Sequence, residues 1–260
     1  MRVALLLSVG LGAGLGAGLW ALRDAGRGCP APRLDRAATA MPILLLNLDR
    51  RTDKLELARK RLAALGATFE RVAGVDARAN ASLVGQSPYI TGTRHLGDAG
   101  SALAHLRAWE RIARGSGPAL VLEDDERPLS LVASDLAAAA APGFDLLYMN
   151  ALRPRGHQLV DRELCLYRVQ PHALRSAWGR QPNVWLSAYL VSPAGARKLL
   201  ALLAAHPLDM DAVPFDKGLM RRLEHVPHQI DVLVIAETNR YFEHIELDSD
   251  RVQHRETGSS

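Results

Sequence analysis

The run Pro42–Leu48, PILLLNL, constrains this chain more than any other stretch. Its unbroken apolar character is the mark of a strand buried on both faces. A strand of that kind needs cover above and below. The residues that follow supply the first layer. Asp53 and Glu56 have the spacing of a capping box. Leu55, Ala58, Leu62 and Leu65 share one helical face, and Gly66 ends it. Thr68–Val72 reads as a second short strand that runs into Gly74-Val75-Asp76. Strand, helix, strand is the unit of a parallel sheet, so the expected class is α/β with a mostly parallel central sheet.

The pattern recurs along the chain. A helix is expected from Asp98, with Ala102, Leu106, Trp109 and Ala113 as its buried stripe and His105 at the margin. Ala119–Leu122 reads as a strand and Ser130–Ala141 as an Ala-rich helix. Further strands are expected at Phe144–Met149, Leu164–Val169, Val184–Val191 and Ile230–Ala236. Ser192-Pro193 opens a helix, with the cap followed by proline at the first helical position. Asp216 opens another, to about Leu223. Ala77–Gly97 has no convincing period. A loop of that length inside a domain is usually functional, and its glycines suit a lid that closes over a ligand. The polar tail, 243–260, is expected to fray.

Val3–Leu22 is uncharged and about as long as a bilayer-crossing helix. An uncleaved signal anchor is favoured there, with a cleaved signal peptide as the other reading of residues 1–22. Residues 23–40, with Pro30 and Pro32, read as a stem, and the globular domain spans 41–242. Hydrophobic content of 48% and charged content of 23% suit a chain with a real core. A net charge of +4 without a dense Lys/Arg block excludes nucleic acid as an obvious partner. Cys29 and Cys165 are too few for a disulfide framework and carry no assigned role. Asn80-Ala81-Ser82 has the form of a glycosylation site.

The chemistry is concentrated in ALVLEDDE, Ala119–Glu126. In open α/β sheets, ligands collect beyond the carboxyl ends of the strands. Glu123, Asp124 and Asp125 repel one another at that edge unless a cation lies among them. Mn²⁺ or Mg²⁺ held there would leave room for a substrate's phosphates; the alternative is a solvated strand end turning into a loop at Arg127-Pro128. Asn47, Arg50 and Arg51 stand at the end of the first strand, placed to grip a diphosphate. The two arginines read equally well as a solvated pair.

Several blocks, in order from about Ile43 to Ile235, resemble glycosyltransferase family 25. They are NLDRRTDKLELARKRLAALG, FERVAGVDAR, GDAGSALAHLRAWERIA, ALVLEDDE, SAYLVSPAGARKLL and VPFDKGL. The third block departs from the family's Gly-Glu-Ile-Gly-Cys-Ala-Leu-Ser-His at Asp98, Ala99, Ser101 and Ala104, and Trp185-Leu186 replaces a usual Gly-Thr. The resemblance implies a GT-A type fold, a divalent cation, a UDP-sugar donor and inverting transfer. The expected activity is transfer of a hexose, galactose first, to a glycan, lipooligosaccharide or glycoprotein. It would act at a membrane, in the Golgi or endoplasmic reticulum lumen if the cell is eukaryotic. By the same resemblance Asp76, His105 and Asp124 join the donor site, Ser187 and Tyr189 face the acceptor, and Asp216 is the first candidate base. Glu237, after the last strand, is the second. Asp216 also reads as a helix cap, and His105 as a packed, hydrogen-bonded histidine. The departures keep open a second function, an inactive family member serving as a binding or adhesion module.

Overall fold

The computed structural model describes residues 41–131, 133–151, 158–169, 186–226, 229–236 and 241–244. The opening apolar run forms β1 (Ile43–Asn47), buried along its whole length. Alternation assigns its side chains to two cores, with Leu44 and Leu46 in one and Ile43 and Leu45 in the other. β4 (Ala119–Glu123), β6 (Leu146–Ala151), β9 (Ala188–Val191) and β11 (Val232–Ala236) divide their side chains in the same way. The first core is closed by α3 (Leu96–Ala113), α5 (Pro193–Ala205) and α6 (Phe215–His225). The second is closed by α1 (Thr52–Ala64), α4 (Ala133–Ala140) and the pair Tyr241 and Phe242. The result is three layers with the sheet in the middle.

With β2 (Glu70–Ala73), β7 (Gln158–Asp161) and β8 (Leu166–Arg168), the strand order is β2-β1-β4-β9-β6-β11-β8-β7. The sheet is mixed, which corrects the expectation of a mostly parallel one. β1 runs parallel to β2 and β4, and β6 to β11. β9 is antiparallel to both β4 and β6, and β8 to both β11 and β7. A strand buried on both faces has the same apolar composition in either direction, so burial could not reveal this.

Local signals fared unevenly. The end of α1 is as expected: Gly66 has φ +68°, and the amides of Gly66 and Ala67 bond the carbonyls of Ala63 and Leu62 at 2.9 and 3.0 Å, a Schellman motif. Ser192 caps α5 by accepting from the Gly195 amide at 2.9 Å. The capping box at Asp53 does not form. Arg51 is the N-cap and its guanidinium bonds the Asp53 carboxylate at 3.0 Å through both Nε and Nη2. Within 77–97 lie a single turn, α2 (Ser82–Gly85), and β3 (Ile90–Thr91), which pairs with β10 (Leu208–Asp209). Arg127-Pro128, a loop in the alternative reading of the acids, is instead part of β5 (Glu126–Pro128). It pairs with β12 (Phe242–His244), so the start of the expected tail is part of the fold.

The membrane expectation finds no support among the described residues. Among the described residues no helix is long and apolar enough to cross a membrane. The 18-residue α3 carries Asp98, Arg107, Glu110 and Arg111, charges that a lipid core would penalise. Val3–Leu22, the stem and residues 245–260 lie outside the described residues. The single-pass anchor, and the lumenal localisation and membrane partner tied to it, therefore have no structural basis here.

Candidate functional site

The site follows from chain order. β1 leads through α1 to β2 on one side, and β2 leads through α3 to β4 on the other. Because α1 and α3 pack on opposite faces, a crevice opens beyond the carboxyl ends of β1 and β4. There the structure has a cleft of about 120 Å³, lined by Asn47, Arg50 and Lys54 from the β1 end and the first turn of α1. Gly74–Arg78 line it after β2, the first turns of α3 from above, and Glu123, Asp124 and Asp125 after β4. Gly100 lets α3 approach this closely. A Cβ there would lie 2.3 Å from the Val75 carbonyl oxygen.

Asn47 is the hub of the floor. Its Nδ2 donates to Asp124 Oδ2 at 2.7 Å and to the Arg51 carbonyl at 2.9 Å. Its Oδ1 accepts from Arg71 Nε at 3.0 Å. These bonds commit both donors and the acceptor to the protein. Arg50 donates to Asp76 Oδ2 at 2.5 Å, and Asp76 Oδ1 accepts from the Ala79 amide at 3.3 Å. Arg51 does not line the cleft; it is turned to Asp53.

Behind the cleft is a buried polar chain. Trp109 Nε1 donates to the Tyr189 hydroxyl at 2.8 Å. His105 Nδ1 lies 3.0 Å from that hydroxyl, and His105 Nε2 lies 3.2 Å from Glu123 Oε1. Ser101 Oγ donates to the same Glu123 oxygen at 3.2 Å. With Trp109 able only to donate, the Tyr189 O–H is left for His105 Nδ1, and the Nε2–H for Glu123. Burial holds the Tyr189 hydroxyl pKa well above its usual value. His105, expected at the margin of α3, is 1% exposed and stacks on Phe215 with ring centroids 5.8 Å apart. His105 and Tyr189 thus support Glu123 from the core instead of lining the cleft.

Ser187 is buried, with no hydrogen-bond partner for its Oγ among the described residues. Asp216 is half-buried in the first turn of α6, where its Oδ1 accepts from the Lys217 amide at 2.7 Å; it does not line the cleft. Glu237 lies outside the described residues. Of the sequence candidates, Asn47, Arg50, Asp76 and the three acids come together. Lys54, Arg78 and Ser101 were missed.

Lys54 matters most. It is 7% exposed, and its Nζ lies 3.5 Å from Asp124 Oδ1 and 3.9 Å from Asp125 Oδ2. A hard divalent ion needs convergent oxygens. Here Glu123 addresses His105 and Ser101, whereas Asp124 and Asp125 face an ammonium. Among the described residues no group of three or more His, Cys, Asp or Glu side chains could hold a metal ion. In this arrangement the three acids are turned to different groups of the protein itself. The structure shows what the sequence reading lacked: Lys54, Ala58 and Leu62 are the buried residues of α1, an i, i+4, i+8 stripe that begins on the lysine and not on Leu55.

Sequence comparison places the chain next to known proteins. It is 28% identical over 206 residues to a bovine protein named probable inactive glycosyltransferase 25 family member 3, covering 72% of this chain and 32% of the relative. The mouse protein named inactive glycosyltransferase 25 family member 3 is 30% identical over 151 residues, covering 55% of this chain and 23% of the relative. An Anopheles gambiae glycosyltransferase 25 family member is 26% identical over 210 residues, covering 72% and 32%. The chain is similar, at a distance, to members of glycosyltransferase family 25. It spans about a third or less of the length of these family 25 proteins. No protein-family model matches it. Among solved structures, the galactosyltransferase LgtC, in complex with donor and acceptor sugar analogs, aligns at a TM-score of 0.42 with 13% identity, covering 75% of this chain and 73% of that one. A Drosophila galactosyltransferase 7 complex aligns at 0.41 with 12% identity, covering 85% and 76%. Scores this low assign nothing in the site. Two of these three family 25 relatives carry the word inactive in their names, and no metal-holding group is found among the described residues; both findings go against the expectation of an active, metal-dependent transferase.

Proposed function

We propose that this chain is a catalytically inactive relative of glycosyltransferase family 25 that serves as a binding module, its cleft taking the hydroxyl-rich surface of a glycan. The observation that carries the reading is the engagement of the acid triplet by the protein's own Lys54, Asn47, His105 and Ser101. The names of the bovine and mouse relatives support it. The lining supports this ligand class. Arg50, Lys54 and Arg78 stand against Asp76, Glu123, Asp124 and Asp125, so the cleft lacks the positive excess that would favour a diphosphate. Sugar hydroxyls donate and accept, and such a mixed lining suits them.

The test has two arms on the full chain. UDP release is followed with UDP-galactose, with and without a glycan acceptor and Mn²⁺, and binding is measured calorimetrically over a glycan panel. No release above the protein-free blank, with saturable binding of at least one glycan, is expected. Acceptor-dependent UDP release overturns the inactive assignment. A panel without any binder overturns the binding assignment.

A further inference from the structure

We propose that Lys54 is the resident cation of the cleft: its buried ammonium takes over the acids that a divalent ion would need, and makes the cleft blind to divalent metal. The inference rests on the inactive reading above but is tested separately from it.

Helical geometry places the lysine there. Side chains in a helix lean toward its N-terminus, and Lys54 is in the first turn of α1, where that lean aims it at the end of β4. Its neighbours along the buried stripe, Ala58 and Leu62, pin that face of α1 against the second core. The side chain is 8% exposed and the Asp124 and Asp125 side chains are 14% and 15% exposed, so solvent screens the pair weakly. A metal ion bridging Asp124 Oδ1 and Asp125 Oδ2 would bond oxygens at roughly 2.0–2.2 Å. It would then share their surroundings with a fixed positive charge held 3.5 and 3.9 Å from the same two atoms. Dication and ammonium repel, and the ammonium is covalently tethered. Asn47 reinforces the exclusion by donating to the other Asp124 oxygen at 2.7 Å. Glu123 is held by Ser101 and His105 on the opposite flank.

Mn²⁺ binding to the full chain, followed by electron paramagnetic resonance and by thermal unfolding with and without Mn²⁺, tests this. The wild-type chain and Lys54→Arg, which keeps the charge, are expected to show no Mn²⁺-dependent shift. Lys54→Met keeps the apolar stem and removes the charge. It is expected to bind Mn²⁺ at least about tenfold more tightly than wild type, with a midpoint that Mn²⁺ raises, and to lose this gain in Lys54→Met/Asp125→Asn. If Lys54→Met does not fold in metal-free buffer, Mn²⁺ is expected to restore folding, and failure to do so counts against the proposal. Wild-type Mn²⁺ binding that Asp125→Asn abolishes, or a Lys54→Met chain no better than wild type, overturns it. Neither result bears on turnover. UDP release without metal would overturn the inactive reading and leave this one standing.

Discussion

Asp124 shows how the cleft trades charge for burial. Burial raises its carboxyl pKa, opposed by Lys54 and by the Asn47 hydrogen bond, while Glu123 pushes it further up; the net direction is upward. A carboxyl whose folded pKa lies above its unfolded value favours the folded state while protonated, and that contribution is lost as pH rises through the folded value. Asparagine mimics the protonated form. Asp124→Asn is therefore expected to gain stability relative to wild type as pH rises from about 4 to 8. Urea midpoints across that range check it, and a margin that shrinks with pH would contradict it. Asp53 goes the other way. Its pKa is held at about 2, chiefly by the Arg51 hydrogen bond. That bond is also why the capping box, plausible from spacing alone, was misread. A guanidinium two residues away outcompetes a backbone amide for the same carboxylate. Lys54 was illegible for a related reason. Lysine usually marks a solvated face, and only the acids of a strand distant in sequence reveal why this one is buried.

At the scale of elements, the sequence conveyed strands, helices and their burial, and it placed the acids at a strand's carboxyl end. It did not convey strand direction, because Leu190 and Val191 of an antiparallel strand are as apolar as Leu44 and Leu45 of a parallel one. Nor could it reveal β5, since Glu126, Arg127 and Pro128 read as a turn until β12 lies beside them. The packing of α3 was half legible. Gly100 matched a family block, but its use appears only against the Val75 carbonyl. Because that obstacle is backbone, Gly100→Ala is expected to cost at least about 1–3 kcal/mol, to reduce ligand binding by shifting the first turns of α3, and to leave helix content intact. Chemical denaturation and circular dichroism measure these. An alanine variant as stable as wild type would mean that α3 can slide freely over the cleft.

Across the whole molecule, the last described segment closes the second core. Tyr241 and Phe242 are fully buried, and Tyr241 donates to Asp135 Oδ2 at 3.0 Å. Phe242→Ala is expected to lose about 3–5 kcal/mol and to loosen β5, directly after the acids; urea unfolding and hydrogen exchange at residues 126–128 would report both. β9 has a consequence in time. It lies between β4 and β6, both made earlier in the chain, so β4 has only β1 beside it until residues 188–191 are made. On the ribosome, the strand that carries Glu123 must wait with one open edge, a state prone to stray pairing. Contacts this distant in sequence make for slow folding. The ligand cleft is thus among the last parts of the molecule to be finished, although almost all of its lining is synthesised before residue 126.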